Sequence, residues 1–401
     1  MEHRLKANLW KFYLFNIFSS FVLYYGIDKV FMAARGLSVT DIVLVEIVYA
    51  VFVVFLEVPS GALADRWSRK YVLALNVVFF MFNTFLWAIA HTLNVFLLGA
   101  FAASIHSALR SGTDTSFLYD TLKQLNKETT YEKTYGNIVF YENIITILAG
   151  IIGAMAADRF GLVVPFWLTL GFSLIAVLLA LSLTEPKIHR TTGEMKYWEH
   201  IAETGKYLWR HPAVMHLIAL SVILGGALGL MDEYGQLYFV KIGIPIFALG
   251  CLAAAGNGVE ALAGKFSYRL NRFSRRKIFA ASIAVSAVGF FIVGASKSWI
   301  GIPFAFLPWI AYCFISPLLL SDLHKELPSG QRATGESFMN LAKEAFSIPV
   351  ALSFSFFADH VSIFAAYTAI GVIVAIYFIA FIFTSYRTMC APHPLSARRQ
   401  T

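Results

Sequence analysis

The chain has little charge, almost no cysteine and none of the common nucleotide or hydrolase motifs. Asp, Glu, Lys and Arg make up 14% of its 401 residues, where a soluble domain carries about 25%. So few charges exclude an ordinary water-soluble surface. The three cysteines are Cys251, Cys313 and Cys390. None has a CxxC partner and the first two fall inside apolar runs, which excludes a disulfide framework and a zinc site. No GxxxxGK(S/T) segment is present, so this chain alone has no phosphate loop for ATP. HExxH is absent, as is GxSxG in a strand–turn–helix setting. The histidines, such as His91, His106 and His324, stand alone. These absences argue against an enzyme, a bound metal and a cofactor.

What is abundant is apolar sequence. Hydrophobic residues make up 58% of the chain, with 37 Phe and 8 Trp, which suits a lipid-facing shell with aromatic belts. A transmembrane helix takes about 20 mostly apolar residues. That rule predicts twelve spans, at 9–33, 40–63, 72–93, 95–118, 136–157, 164–184, 212–240, 246–268, 278–295, 302–322, 336–357 and 363–386. The first has no small-residue cleavage site behind it and reads as a retained span rather than a signal peptide. The formal net charge of +8 would suit nucleic acid, but the bases sit between apolar runs, which is how membrane topology is written. With the N-terminus inside, cytoplasmic segments hold 25 Lys and Arg residues; outer segments hold 5, namely Lys29, Arg35, Arg159, Lys241 and Lys297. This bias predicts a plasma or inner membrane protein with both termini in the cytoplasm.

The longest loop, 185–211, separates six spans in 1–184 from six in 212–401. Tyr197, Trp198, Ile201, Leu208 and Trp209 recur there at near-helical spacing among charges, the pattern of a short amphipathic helix at the inner membrane surface. A simple linker fits the same residues. The halves also echo one another. Arg66-Trp67-Ser68-Arg69-Lys70 returns as Arg272-Phe273-Ser274-Arg275-Arg276. Asp120 with Lys123 returns as Asp322 with Lys325, and Ala157-Asp158 as Ala358-Asp359. Repeated membrane halves put a binding site where they meet, near the bilayer midplane.

Together these features resemble the major facilitator superfamily. Its signature between the second and third spans is Gly-x-x-x-Asp-(Arg/Lys)-x-Gly-Arg-(Arg/Lys). Gly61, Asp65, Arg66, Arg69 and Lys70 match it, and Ser68 replaces the second Gly. The resemblance covers essentially the whole chain. It implies an all-α membrane protein of twelve transmembrane helices in two pseudo-symmetric six-helix bundles. It also implies secondary active transport of a small organic solute by alternating access. An inner-side latch is implied too: Asp65 facing the N-terminus of the eleventh span, an end that carries about half a positive charge, and Arg69 held by Asp120. Arg275 and Asp322 are the second-half counterparts, with Asn271 where the first half has Asp65. Bases that only set topology would leave the same pattern.

An ionisable residue deep in a span costs about 2.5–3.5 kcal/mol on insertion scales, so each is a functional candidate. Arg110 lies about 18 Å above the inner end of the fourth span, with Asp114 one turn below it on the same helical face. Arg110 resembles the buried Arg that many superfamily members carry there and that is associated with proton coupling; a self-neutralised structural pair is the plainer reading. Asp28 in the first span and Asp232 and Glu233 in the seventh occupy equivalent places toward the outer mouth, as gate carboxylates or as wetted interfacial acids. Glu142 in the fifth span and Lys343 with Glu344 in the eleventh lie roughly 9–12 Å above the inner face, and Lys343 is expected to pair with Glu142. Glu46, Glu57 and Glu260 complete the set. Tyr24, Tyr25, Tyr119, Tyr141 and Tyr234 are candidates for lining a cavity. Gly150-Ile151-Ile152-Gly153 partly resembles the Gly-rich signature of proton-driven exporters, without its Pro, and close helix packing would use the same residues.

These readings converge on proton-coupled efflux, ahead of proton-coupled import of a nutrient or metal chelate. A sensor or lipid-handling protein of the same fold, without transport, is the reading from another class. The expected partners are a small-molecule substrate, protons and the lipid bilayer, with no nucleic acid, and the chain is expected to be a monomer.

Overall fold

The computed structural model describes the backbone of residues 2–186, 211–327 and 332–388, and the side chains of all of these except 2, 57–66, 332–334, 337 and 384–388. The amphipathic helix expected within 185–211 therefore lies outside the described residues. Those residues contain helices and turns and no strand. Lipid imposes this, since a crossing segment must satisfy its backbone hydrogen bonds internally.

The helices are α1 (Glu2–Ser19), α2 (Asp28–Ala34), α3 (Val39–Arg66), α4 (Arg69–Ile89), α5 (Leu93–Arg110), α6 (Thr113–Gln124), α7 (Tyr131–Phe160) and α8 (Val164–Ser182). They continue with α9 (Pro212–Lys241), α10 (Ile246–Phe266), α11 (Arg275–Ala295), α12 (Gly301–Glu326), α13 (Arg332–His360) and α14 (Ile363–Thr388). Eleven helical stretches among the described residues are long and apolar enough to cross a bilayer, with α5 and α6 together forming one of them. The remaining expected span, 9–33, is not one helix. It stops at Ser19 and resumes at Asp28. The fourth span is also interrupted, at Ser111-Gly112, where Gly112 has φ +72°. A residue with a side chain strains there, so glycine sits where the chain must turn between two helical pieces.

The first break is built into its surroundings. The Leu23 amide, freed from the helical ladder, donates to Thr169 Oγ1 on α8 at 3.0 Å. Gly153 of α7 lies directly beneath the Leu23 carbonyl, and an added Cβ would fall 2.9 Å from the Leu23 Cα. Gly153 thus serves a close backbone approach, the packing role that small residues take in membranes.

The chain divides into two compact units, one of residues 1–194 with 244–254, the other of 195–243 with 255–401. Each repeats a packing scheme. In the first, α4 packs on α5 and α8, and α1 on α8; in the second, α11 packs on α12 and α14, and α9 on α14. The third span of each half is thus flanked by the fourth and sixth. Between α4 and α5 the buried polar atoms find local partners. Trp87 Nε1 donates to the Phe96 carbonyl at 3.1 Å, and His106 Nδ1 lies 2.8 Å from the Asn76 carbonyl. Because a carbonyl only accepts, that His106 nitrogen carries the proton.

Candidate functional site

The break in the fourth span creates the first cluster. Arg110 is the last residue of α5 and Asp114 lies in the first turn of α6. Each charge therefore sits at the helix end whose dipole favours it. Arg110 Nε donates to Asp114 Oδ2 at 2.8 Å and its NH2 nitrogen to Glu142 Oε1 of α7 at 2.9 Å. The expected single helical face between Arg110 and Asp114 is corrected here: the pair forms across a turn, not along a continuous helix. Glu142, expected opposite Lys343, is bonded to Arg110.

A cavity of about 240 Å³ opens on this cluster, lined also by Phe12, Asn16, Thr115, Tyr135 and Ile138. One guanidinium facing two carboxylates leaves a net charge of minus one when all three are ionised. Asp114 Oδ1 is buried and, among the described residues, has no hydrogen-bond partner. A buried carboxylate oxygen with no donor facing it is costly.

A second cluster lies at the restart of the first span. Asp28 opens α2, and Lys29 Nζ bonds Asp28 Oδ2 at 2.9 Å and Glu46 Oε1 of α3 at 2.5 Å. Lys29 is only 3% exposed. Counting Lys29 among the outer loop bases is therefore corrected: it is an interior cation between two acids. Spacing gave no sign of this, because a base near the end of an apolar run, as Lys29 is in 9–33, looks like a loop residue.

A third cluster forms at the start of α4. Ser68, the residue before the helix, is extended and makes no cap bond of its own. Glu185, just past α8, accepts from Ser68 Oγ at 2.7 Å and from the Arg69 and Lys70 amides at 3.0 and 2.9 Å. Those amides have no partner within the helix, and a carboxylate suits the positive end of its dipole. Arg69 bonds Asp120 and also donates to the Ser116 carbonyl at 3.0 Å. Glu185 was not read from the sequence; a lone Glu after a span carries no local signal. Gly61, Asp65 and Arg66 close α3, but their side chains lie outside the described ones, as does Glu57.

The second unit has a counterpart. Arg275 Nε donates to Asp322 Oδ2 at 2.7 Å, and Lys325 Nζ to Asp322 Oδ1 at 2.9 Å. Asp232 is exposed and Glu233 half-buried on α9, and Lys343 is half-buried and Glu344 exposed on α13. Of the tyrosines proposed to line a cavity, Tyr24 is buried, stacked 4.3 Å from Phe166. Tyr119 packs on Tyr131, Tyr141 on Tyr13 and Tyr234 on Phe354. Tyr24 and Tyr234 are buried in packing, whereas Tyr25, Tyr119 and Tyr141 are exposed. At the Arg110 cluster the cavity aromatics are Phe12 and Tyr135.

A family model described as Major Facilitator Superfamily matches residues 9–351. Among curated relatives, the uncharacterized MFS-type transporter YuxJ of Bacillus subtilis (strain 168) is 24% identical over 59% of this chain and 63% of its own length. The match thus spans less than two thirds of that relative. Quinolone resistance protein NorA of Staphylococcus aureus (strain COL) is 21% identical over 77% of this chain and 78% of its own. The crystal structure of nucleoside transporter NupG superimposes with a TM-score of 0.73 at 16% identity, covering 95% of this chain and 98% of that one. The POT family transporter PepTSo gives 0.66 at 13% identity, covering 95% and 99%. At such identities the two structures show the fold alone.

Proposed function

Because the chain belongs to the major facilitator superfamily, we propose that this multi-pass membrane transporter couples export of a small organic solute to a proton gradient. Membership places it among transporters rather than enzymes. Proton coupling is inferred from one observation: Arg110 is shared by Asp114 and Glu142 beside a cavity, with Asp114 Oδ1 buried and without a partner among the described residues. A proton on Asp114 neutralises the cluster and frees Arg110 to hold Glu142 alone. Loss of the proton restores the three-way contact. The two states differ in charge at the cavity, which is what coupling of solute and proton requires.

Export is favoured by a relative whose name attributes quinolone resistance, an effect that pumping a drug outward would produce. The Arg69–Asp120 and Arg275–Asp322 pairs, with Gly61, Asp65, Arg66 and Lys70, are proposed as the latch that holds the inner side closed. The excess of bases in alternate loops supports a plasma or inner membrane orientation with both termini in the cytoplasm, and no second copy is needed for the cluster at Arg110.

Everted membrane vesicles energised by a proton gradient test the reading. Uptake of members of a fluorescent organic solute panel should collapse with a protonophore and fall about tenfold or more in Asp114→Asn. Uptake indifferent to the protonophore would remove the coupling claim, and flux in the opposite sense would remove export.

A further inference from the structure

The two interior cations of the first unit, Lys29 and Arg110, each bond two carboxylates. Lys343 in the second unit differs. It lies on α13, five residues into a stretch apolar enough to cross the bilayer, which starts at Phe338. It is half-buried, and among the described residues it has neither an ion pair nor a hydrogen bond. Its neighbour Glu344 is exposed and cannot serve, because successive residues point about 100° apart around a helix.

The Lys343 stem does not run out to lipid. It lies against Gly225 of α9, where a Cβ would meet Lys343 Cδ at 3.2 Å and the Tyr312 hydroxyl of α12 at 2.9 Å. Gly225 therefore leaves a notch into which an ammonium stem and a phenol hydroxyl both project. Asp232, the nearest acid along α9, is two turns further on, about 10 Å by helical rise. An ammonium ion inside the membrane is costly to hold unmet, and such residues mark substrate paths.

We propose that Lys343 and the Tyr312 hydroxyl form the recognition point for an oxyanion group, a carboxylate, sulfonate or phosphate monoester, on the transported solute. The proposal rests on the transport reading and adds the substrate's chemical class to it. The ammonium supplies a charge-assisted hydrogen bond and the hydroxyl a second donor; Gly225, having no Cβ, lets both side chains approach α9.

The test uses purified full-length protein and a set of probes that share one ring system. These are 2-naphthoate, 2-naphthalenesulfonate, 2-naphthyl phosphate, neutral 2-naphthalenemethanol and cationic 2-naphthylmethylammonium, titrated by calorimetry. At least one anion should bind about tenfold tighter than the neutral alcohol. Lys343→Gln should bring that ratio to about one while alcohol binding stays unchanged. Lys343→Arg should keep most of it. An equal affinity of wild type for anions and alcohol, or a preference that survives Lys343→Gln, overturns the proposal. Should Lys343→Gln fail to fold, Tyr312→Phe and Gly225→Ala are read in its place. Each should lower the anion preference at least about threefold, and an unchanged preference in both is equally fatal. The vesicle assay separates the two claims. Lys343-dependent anion binding without any solute flux removes transport and leaves this site. Flux of neutral or cationic solutes alone, without anion preference, does the reverse.

Discussion

The first unit interrupts its first and fourth spans, while the second unit carries α9 and α12 unbroken through 30 and 26 residues at the corresponding places. Proline does not explain the contrast. α12 contains Pro308 and Pro317 and stays helical, whereas the break at Ser111-Gly112 has no proline. In lipid, a proline frees one carbonyl that neighbours can satisfy, but leaving the helix altogether exposes several backbone groups. The breaks in the first unit are therefore supported individually, by Thr169 under Leu23 and by the left-handed Gly112. What they gain is helix ends inside the unit. Arg110 sits at a C-terminal end, Asp114 and Asp28 at N-terminal ends, and every one of these charges is in an ion pair. In the first unit the breaks thus supply helix ends for Arg110, Asp114 and Asp28, whereas Glu46, Glu142 and, in the second unit, Lys343 sit within unbroken helices.

The contrast can be attacked at its strongest point first. Arg110→Leu leaves Asp114 and Glu142 facing each other with no cation; proton-driven flux should fall about a hundredfold, while protein in the membrane stays measurable by immunoblot. No Arg or Lys of α12 bridges two carboxylates at the equivalent place among the described residues. Gly112→Ala should lower stability by about 1–2 kcal/mol, seen as a drop in melting temperature in detergent. Nothing lies within 4 Å of the added methyl, so the cost would be conformational alone. A variant as stable as wild type would show that the turn at 112 is not strained by a side chain. Glu185→Ala strips the start of α4 of its acceptor and should cost about 1 kcal/mol in the same melt. Lys325→Ala should be smallest, under about 0.5 kcal/mol, because the Lys325 side chain is 64% exposed and Arg275 still holds Asp322. A larger loss from Lys325→Ala than from Glu185→Ala would mean that the second half, not the first, carries the tighter inner network.

Much of this was legible in the chain. Apolar runs of membrane length predicted the crossings, and the echo of Arg69 and Asp120 in Arg275 and Asp322 predicted two pairs that the structure brings together. Periodicity could not show that two spans are interrupted, since 9–33 and 95–118 remain apolar across their breaks. It could not show Glu185 either. Its partners are 115 to 117 residues away in sequence, and no local pattern links a carboxylate to amides at that distance. Lys29 was misplaced because its position at the end of an apolar run is the same for a loop base and an interior one.

Hydropathy and the placement of bases by themselves determined that this chain crosses a membrane many times as two related halves, because the cost of a charge or an unpaired peptide group in hydrocarbon depends only on residue type and run length. Which charges meet was decided by tertiary structure alone. Arg110 reaches Glu142, Lys29 reaches Glu46, and Lys343 reaches none of the described acids, because a side chain a few ångströms long chooses among partners by the local course of the backbone, and that course depends on how neighbouring helices pack.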